Sequence, residues 1–469
     1  MRKILSISIL LLCVLIAFAE PVGNMKARQV ADNFRKRLGA STESAVRLDL
    51  GFSNLHIFNY GDGDGFVVVA ANDIAEPILG YSLVGRWEGD MPSSVAGWID
   101  GYDQEIQYGI DNGYEASSVV TSEWNDLERG RMPLRSLVGS GSVSPMLQTT
   151  WNQNPYYNNS CPKIGTDLTV TGCAATAMAQ IMRFWQYPSK GFNSHSYTWN
   201  STTLSADFTA TTYDWENMPL SLTSESSDAE VSAVALLMYH CGVSLDMNYG
   251  LSSTGGSSAY SESVPSALRD FFGYDEDVKI VYRTSYDDDE WIALLKAELD
   301  DGRPILYCGT GGSGVGGHAF VCDGYNAAGN FHFNWGWGGS YDGYFALGAL
   351  TPGGSGTGGN ATNNYSYEND AIINIHPMAE PFVRVVAERE QFNYWADTVT
   401  IEVYTTPDEG SAWSISNDAS WLTFSRSNGV AGIGYTTLTA MASYNRTGVE
   451  RSATVIFSRS GATDTIVFT

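Results

Sequence analysis

Basic residues are scarce: lysine and arginine number 26 against 52 aspartates and glutamates in 469 residues, leaving a formal net charge of −26. A surface of that sign repels phosphate backbones and anionic headgroups, which excludes nucleic acid and acidic membrane as partners. Cysteine is scarce as well, at six positions. That is too few for a disulfide scaffold, so the fold must rest on a hydrophobic core. Beyond the first 19 residues no apolar run is long enough to span a bilayer. The spacing of Cys308, His318 and Cys322 fits no compact zinc signature. The glycine-rich run at 309–317 lacks the Lys and Ser/Thr that complete a phosphate loop. No metal and no cofactor is therefore expected.

What is present begins with an export leader at 1–19: Arg2 and Lys3, an apolar run, and Ala17-Phe18-Ala19 before Glu20. Its removal takes the net charge to −28 and predicts a secreted, cell-surface or periplasmic protein. The remaining length suits about three domains. At 20–140 a helix within 20–50, short strands near 55–60, 65–70 and 78–84, and a helix around 95–108 make an α+β unit with no catalytic constellation of its own. The stretch ERGRMPLRSLVGSGSVSP at 128–145 is first basic, then Gly/Ser-rich, and reads as an exposed linker. From 141 to 378 helices come first and an antiparallel sheet afterwards, again α+β. Asp287, Asp288, Asp289 and Glu290 open one of those helices, where negative charge suits the dipole. From 379 to 469 short alternating strands separated by turns predict an all-β, immunoglobulin-like sandwich.

Two stretches carry chemistry. TGCAATAMAQIMR at 171–183 predicts a turn feeding an alanine-rich helix with Cys173 in its first turn. Unpaired amides and the positive end of the macrodipole favour an anion there, so the thiol should ionise readily. Met178, Ile181, Met182 and Trp185 recur at helical spacing and supply an anchoring stripe. About 145 residues on, GGHAFVCDGYNAAGNFHFNWGWGG at 316–339 predicts a hairpin with His318 opening one strand and Asn334 closing the other. Asn334 is an uncharged amide able to hold the second nitrogen of the imidazole, and Trp335 and Trp337 are placed to cover that bond. A small cysteine and a lone histidine are each ordinary core residues. Their joint setting is what points to a thiol nucleophile with a histidine base.

TGCAATAMAQIMRFWQYP, GGHAFVCDGYN and FHFNWGWGG together resemble the streptopain family of secreted bacterial papain-like cysteine peptidases, over about 20–377. The resemblance implies a papain-like catalytic domain in which Cys173 is the nucleophile and His318 the general base. WNQNPYYN at 151–158 then supplies Gln153 as oxyanion donor, and Gly317 and Ser258 contact substrate. It further implies that 20–140, through GFVVVAANDIAEPILGYSLVG at 65–85, is an inhibitory propeptide that blocks the cleft and displaces catalytic groups until it is cut away. Leu134 and Leu137 offer the apolar residue the family prefers one place before the cleaved one. The tail resembles BACON-type domains, implying a glycan or cell-surface ligand. Protein or peptide substrates, with the chain's own propeptide as intramolecular inhibitor, complete the expectation. A catalytically inactive protease-like binding protein and a thiol acyltransferase using the same dyad are the two rivals.

Overall fold

The structure is a computed structural model that describes residues 20–89, 91–133, 141–275, 277–309, 317–350, 369–378, 383–405, 412–430, 435–459 and 461–469. The expected leader at 1–19, the cleavage positions at 134–139 and the glycine-rich stretch at 351–360 lie outside the described residues.

The N-terminal region holds α1 (Asn24–Arg37), β1 (Val46–Leu48), β2 (Leu55–Asn59), β3 (Phe66–Ala70), β4 (Ile78–Ser82), α2 (Ser93–Asp111) and α3 (Ser118–Glu128). Ala27, Val30, Ala31 and Phe34 form the buried face of α1, as their spacing predicts. The helix α3 is not among the sequence expectations, yet its signals are plain. Ser117 caps it by accepting from the Val120 amide, and Val120, Trp124 and Leu127 fall on one buried face.

The central region follows with β5 (Lys163–Ile164), β6 (Asp167–Leu168), α4 (Cys173–Trp185), β7 (Ser194–Trp199), β8 (Thr202–Asp207), α5 (Asp228–Ser244), α6 (Val264–Phe272), β9 (Lys279–Tyr282), α7 (Asp288–Asp300), β10 (Ile305–Gly309), β11 (His318–Tyr325), β12 (Phe331–Asn334), β13 (Gly343–Phe345) and β14 (Asp370–Ile373). The Asp287 side chain accepts from the Glu290 amide while Glu290 reaches back, so the acidic run is a capping box. The helix α4 is more central than an amphipathic stripe requires: residues 174–182 are all buried.

Strands of both regions join one antiparallel sheet ordered β1-β2-β3-β4-β13-β12-β11-β10-β14-β9. Alternation along β10 and β11 divides its two faces. Ile305, Tyr307, Phe320 and Cys322 enter a core shared with the N-terminal helices, whereas Leu306, Cys308, Ala319 and Val321 enter the core around α4 and α5. Cys308 and Cys322 therefore point to opposite faces, and with His318 they form no common ligand set.

The two regions meet where Tyr81 pairs with Tyr344 and Gly80 with Phe345. A side chain at Gly80 would stand 2.6 Å from the Phe345 ring, so glycine is what lets that ring lie flat on the junction. The Ala346 amide donates to the Leu79 carbonyl at 2.9 Å. The Tyr102 hydroxyl of α2 lies between the carbonyls of Leu79 and Ala346. Glu105 accepts from the amides of Ala349 (2.7 Å) and Leu350 (3.1 Å). Burial pushes its carboxyl up to about 7, even though those two donors pull the other way.

The tail forms β15 (Val383–Ala387), β16 (Asp397–Thr405), β17 (Ala412–Asn417), β18 (Leu422–Phe424), β19 (Asn428–Val430), β20 (Tyr435–Ala442), β21 (Ala453–Arg459) and β22 (Ala462–Phe468). They make two four-stranded antiparallel sheets around Trp413, Phe457 and Phe468, the sandwich expected from strand spacing. Among the described residues no helix is long and apolar enough to cross a membrane.

Candidate active site

Gly172 caps α4 with φ 90° and ψ 144°, a conformation that side-chain-bearing residues rarely adopt. A β-carbon there would also stand 2.8 Å from the Met247 side chain. Gly172→Ala is expected to cost about 1–3 kcal/mol and to shift the helix's first turn. A lowered thermal midpoint together with slower alkylation of Cys173 would register both effects.

Cys173 follows, half-buried at the helix N-terminus. Burial alone would raise its thiol. The facing His318 imidazole and the amides of Ala319 and Ala174 outweigh that and bring it down to about 7. The other four cysteines of 20–469 are free and buried. Burial raises the thiols of Cys161, Cys241, Cys308 and Cys322, so Cys173 is the one poised to ionise.

His318 opens β11, and its imidazole faces the Cys173 thiol across the gap between sheet and helix, close enough to lower it. Its Nε2 is buried without a partner among the described residues. Asn334 was expected on that second nitrogen. Its Oδ1 instead accepts from Gln180 Nε2 (3.0 Å) and the Gly336 amide (3.1 Å), and its Nδ2 donates to the Thr149 carbonyl (2.7 Å). With both ends of the amide engaged, Asn334 has nothing left for the ring.

Trp335, expected as a cover, packs instead against Phe320, Phe333, Phe345 and the α2 residue Trp98, on the opposite face of the sheet. Trp337 takes the covering place, its ring parallel to the imidazole at 5.9 Å and 11°. Spacing alone did not separate the two tryptophans. Alternation did, because the residue after Asn334 belongs to the rear face.

Gln153 is buried, and its carbonyl accepts from the Thr171 amide, which ties its segment to the turn before Cys173. Gly317 is exposed beside His318. Ser258 is exposed and exchanges main-chain bonds with Asn248 (2.9 and 3.1 Å). Its neighbour Ser257 is the one that reaches the turn: its hydroxyl donates to the Val170 carbonyl, and its β-carbon lies 3.3 Å from where one would sit on Gly172. The structure thus brings Cys173 and His318 into contact, with Gln153 tethered beside them. It engages Asn334 with Gln180, Thr149 and Gly336 and packs Trp335 on the opposite face of the sheet.

The peptidase C10 family profile matches residues 151–345, a span that includes Gln153, Cys173, His318 and Asn334. Streptopain of Streptococcus pyogenes is 33% identical over 366 residues, 73% of this chain and 87% of its own length. The chain belongs to the peptidase C10 family. C10 membership makes it a cysteine endopeptidase of the streptopain family. A Spi protease inhibitor profile matches residues 19–106, so the N-terminal region is a propeptide inhibitor domain, and the BACON binding-domain profile matches 411–469. The C10 relative PrtT of Porphyromonas gingivalis, a thiol protease/hemagglutinin, is 33% identical over 410 residues. These are 82% of this chain, which spans 45% of the length of that relative. A prointerpain A fragment from Prevotella intermedia superposes with a TM-score of 0.59 at 33% identity, covering 71% of this chain and 99% of the fragment.

Proposed function

We propose that this C10 peptidase hydrolyses peptide bonds through a Cys173 thiolate and the His318 imidazole, and that it is made as a zymogen. Cys173 attacks the scissile carbonyl. His318 takes the thiol proton and returns it to the leaving amine, and water then releases the acyl group from sulfur. The Gln153 amide and the Cys173 main-chain N–H are assigned to the oxyanion, with Gly317 and Ser258 along the bound peptide. The propeptide at 20–140 blocks the cleft and holds the catalytic domain at 141–378 latent until the linker is cut. The sandwich at 379–469 engages a glycan or surface ligand, and the leader at 1–19 directs export.

The observation that carries this proposal is the thiol at a helix N-terminus facing a histidine, lowered to about 7 while every other thiol among the described residues is raised. Casein cleavage that an epoxide thiol inhibitor blocks and Cys173→Ser abolishes is the test. No cleavage by processed wild type would favour an inactive binding protein. Transfer of the acyl group to an added amine in preference to water would favour the acyltransferase.

The thiolate is the reacting form, so kcat/KM should rise with pH, levelling above about 7, and fall about tenfold per unit below it. In His318→Ala the chief charge lowering the thiol is gone while burial remains. The midpoint for alkylation of Cys173 by iodoacetamide should then move up past the ordinary thiol value. A midpoint near 7 in that variant would sink the pairing.

A further inference from the structure

Gln180 lies seven residues after Cys173, nearly two helical turns, and so on the same side of α4. Its side chain is fully buried. Gln180 Oε1 accepts from the Thr149 hydroxyl (2.9 Å) and the Trp151 amide (3.2 Å), and Nε2 donates to Asn334 Oδ1 (3.0 Å). Neither amide can be turned around. The Trp151 and Gly336 main-chain N–H groups are obligate donors, so the atoms facing them must be oxygens.

Three segments therefore converge on one side chain. One is the helix that carries the sulfur. Another, through Trp151, leads two residues on to Gln153. The third, through Asn334 and the Gly336 amide, leads to Trp337, whose ring lies on the His318 imidazole. These segments are more than 150 residues apart in the chain between Gln180 and Asn334, and no ladder of backbone bonds joins helix to strand end. In a dry interior, loss of such a shared amide leaves several donors and acceptors unpaired at once.

We propose that Gln180 is a positioning residue of the peptidase: it sets where the oxyanion segment and the imidazole's cover stand relative to the Cys173 sulfur. This rests on the assignment of Cys173 and His318 as the reacting pair. Gln180 touches neither substrate nor reacting atoms. Its effect is geometric, and displacements of about 1 Å at a reacting centre are worth up to about 10²-fold in rate.

The test uses the processed full chain carrying Gln180→Leu, which keeps volume and removes every polar contact. Gln180→Glu keeps the acceptor toward Trp151 and turns an oxygen on Asn334. Competent sites are counted with an epoxide thiol inhibitor. kcat and KM are measured per site on a fluorogenic peptide, and the pH midpoint of iodoacetamide alkylation is followed, the other thiols being buried. For Gln180→Leu the expected result is a kcat per site down about 10- to 100-fold, KM within about twofold of wild type, and an alkylation midpoint moved upward. Gln180→Glu should move the midpoint in the same direction with a smaller loss of kcat, and it decides the matter if the leucine variant does not fold.

Wild-type kcat and midpoint in a folded variant would overturn the proposal. So would a fall confined to thermal stability and the fraction of competent sites, with per-site kcat and midpoint unchanged, since that is the mark of packing alone. If wild type itself cleaves no peptide, the peptidase assignment falls, while the alkylation midpoints of the two variants still support or overturn the role of Gln180.

Discussion

Cys173→Ala is expected to lower peptide hydrolysis by at least about 10³-fold and to leave the chain unprocessed. Removing a nucleophile deletes the covalent route, and what survives is only the acceleration that oxyanion donors and binding give to attack by water. The effect on processing follows if the linker at 134–139 is cut by the same site, its Leu134 and Leu137 offering the preferred apolar residue. Purified Cys173→Ala should keep residues 20–140 in intact-mass measurement under conditions where wild type loses them, and a trace of active wild type should restore cutting. The alanine also removes the charge that His318 faces, without leaving a cavity of consequence, so the variant should remain folded. Casein turnover by Cys173→Ala near the wild-type rate would end the assignment of the nucleophile. Loss of 20–140 with no active enzyme present would end self-processing while leaving the chemistry intact.

Local signals made much of this molecule legible. Four alanines and a Thr-Gly turn announce α4 and its cysteine, and the alternation of 398–404 announces a tail strand that the structure places at β16. The hairpin β7–β8 was equally available, since two alternating runs flank Asn200-Ser201, both of which adopt positive φ. Other features hold no local trace. Nothing in the residues around Tyr81 says that it will pair with Tyr344 to fuse an inhibitor domain to a catalytic sheet. The amide chemistry of Asn334 suits an imidazole as well as it suits Gln180, and only the fold decides which neighbour arrives. Trp335 and Trp337 differ by which face of a strand they leave, a distinction that depends on where the strand ends. The parts of the site missed from sequence are those fixed by long-range contact, as expected when burial rather than propensity selects a partner.

Trp98→Ala is expected to loosen the inhibitor domain by about 2 kcal/mol, roughly 30-fold in the docking equilibrium. Trp98 projects from α2 onto Tyr307, Phe320, Phe333 and Trp335, with ring centroids 5.0–6.1 Å away, and its indole donates to Tyr102 at 2.9 Å. Truncating a fully buried tryptophan costs about 3–5 kcal/mol, and partial exposure of this one lowers the figure. The sheet it covers is the one whose far face carries the core of α4, so an opened seam bares the aromatic rear of β10–β12 while leaving Cys173 in place. In a Cys173→Ala background, where no self-cutting intervenes, exchange of the Ala346 amide reads the seam directly, because that amide is bonded to Leu79 across the junction. Its exchange should quicken about 30-fold, with amides inside α5 unchanged. The comparison belongs at one pH. Glu105 is raised to about 7 when docked, so docking is strongest below the ordinary carboxylate range, where the carboxyl is protonated in both states. It weakens as pH climbs toward 7, because the released form ionises first. An Ala346 exchange rate indifferent to Trp98→Ala would mean that strand pairing at Tyr81 and Gly80 holds the domain without its aromatic anchor.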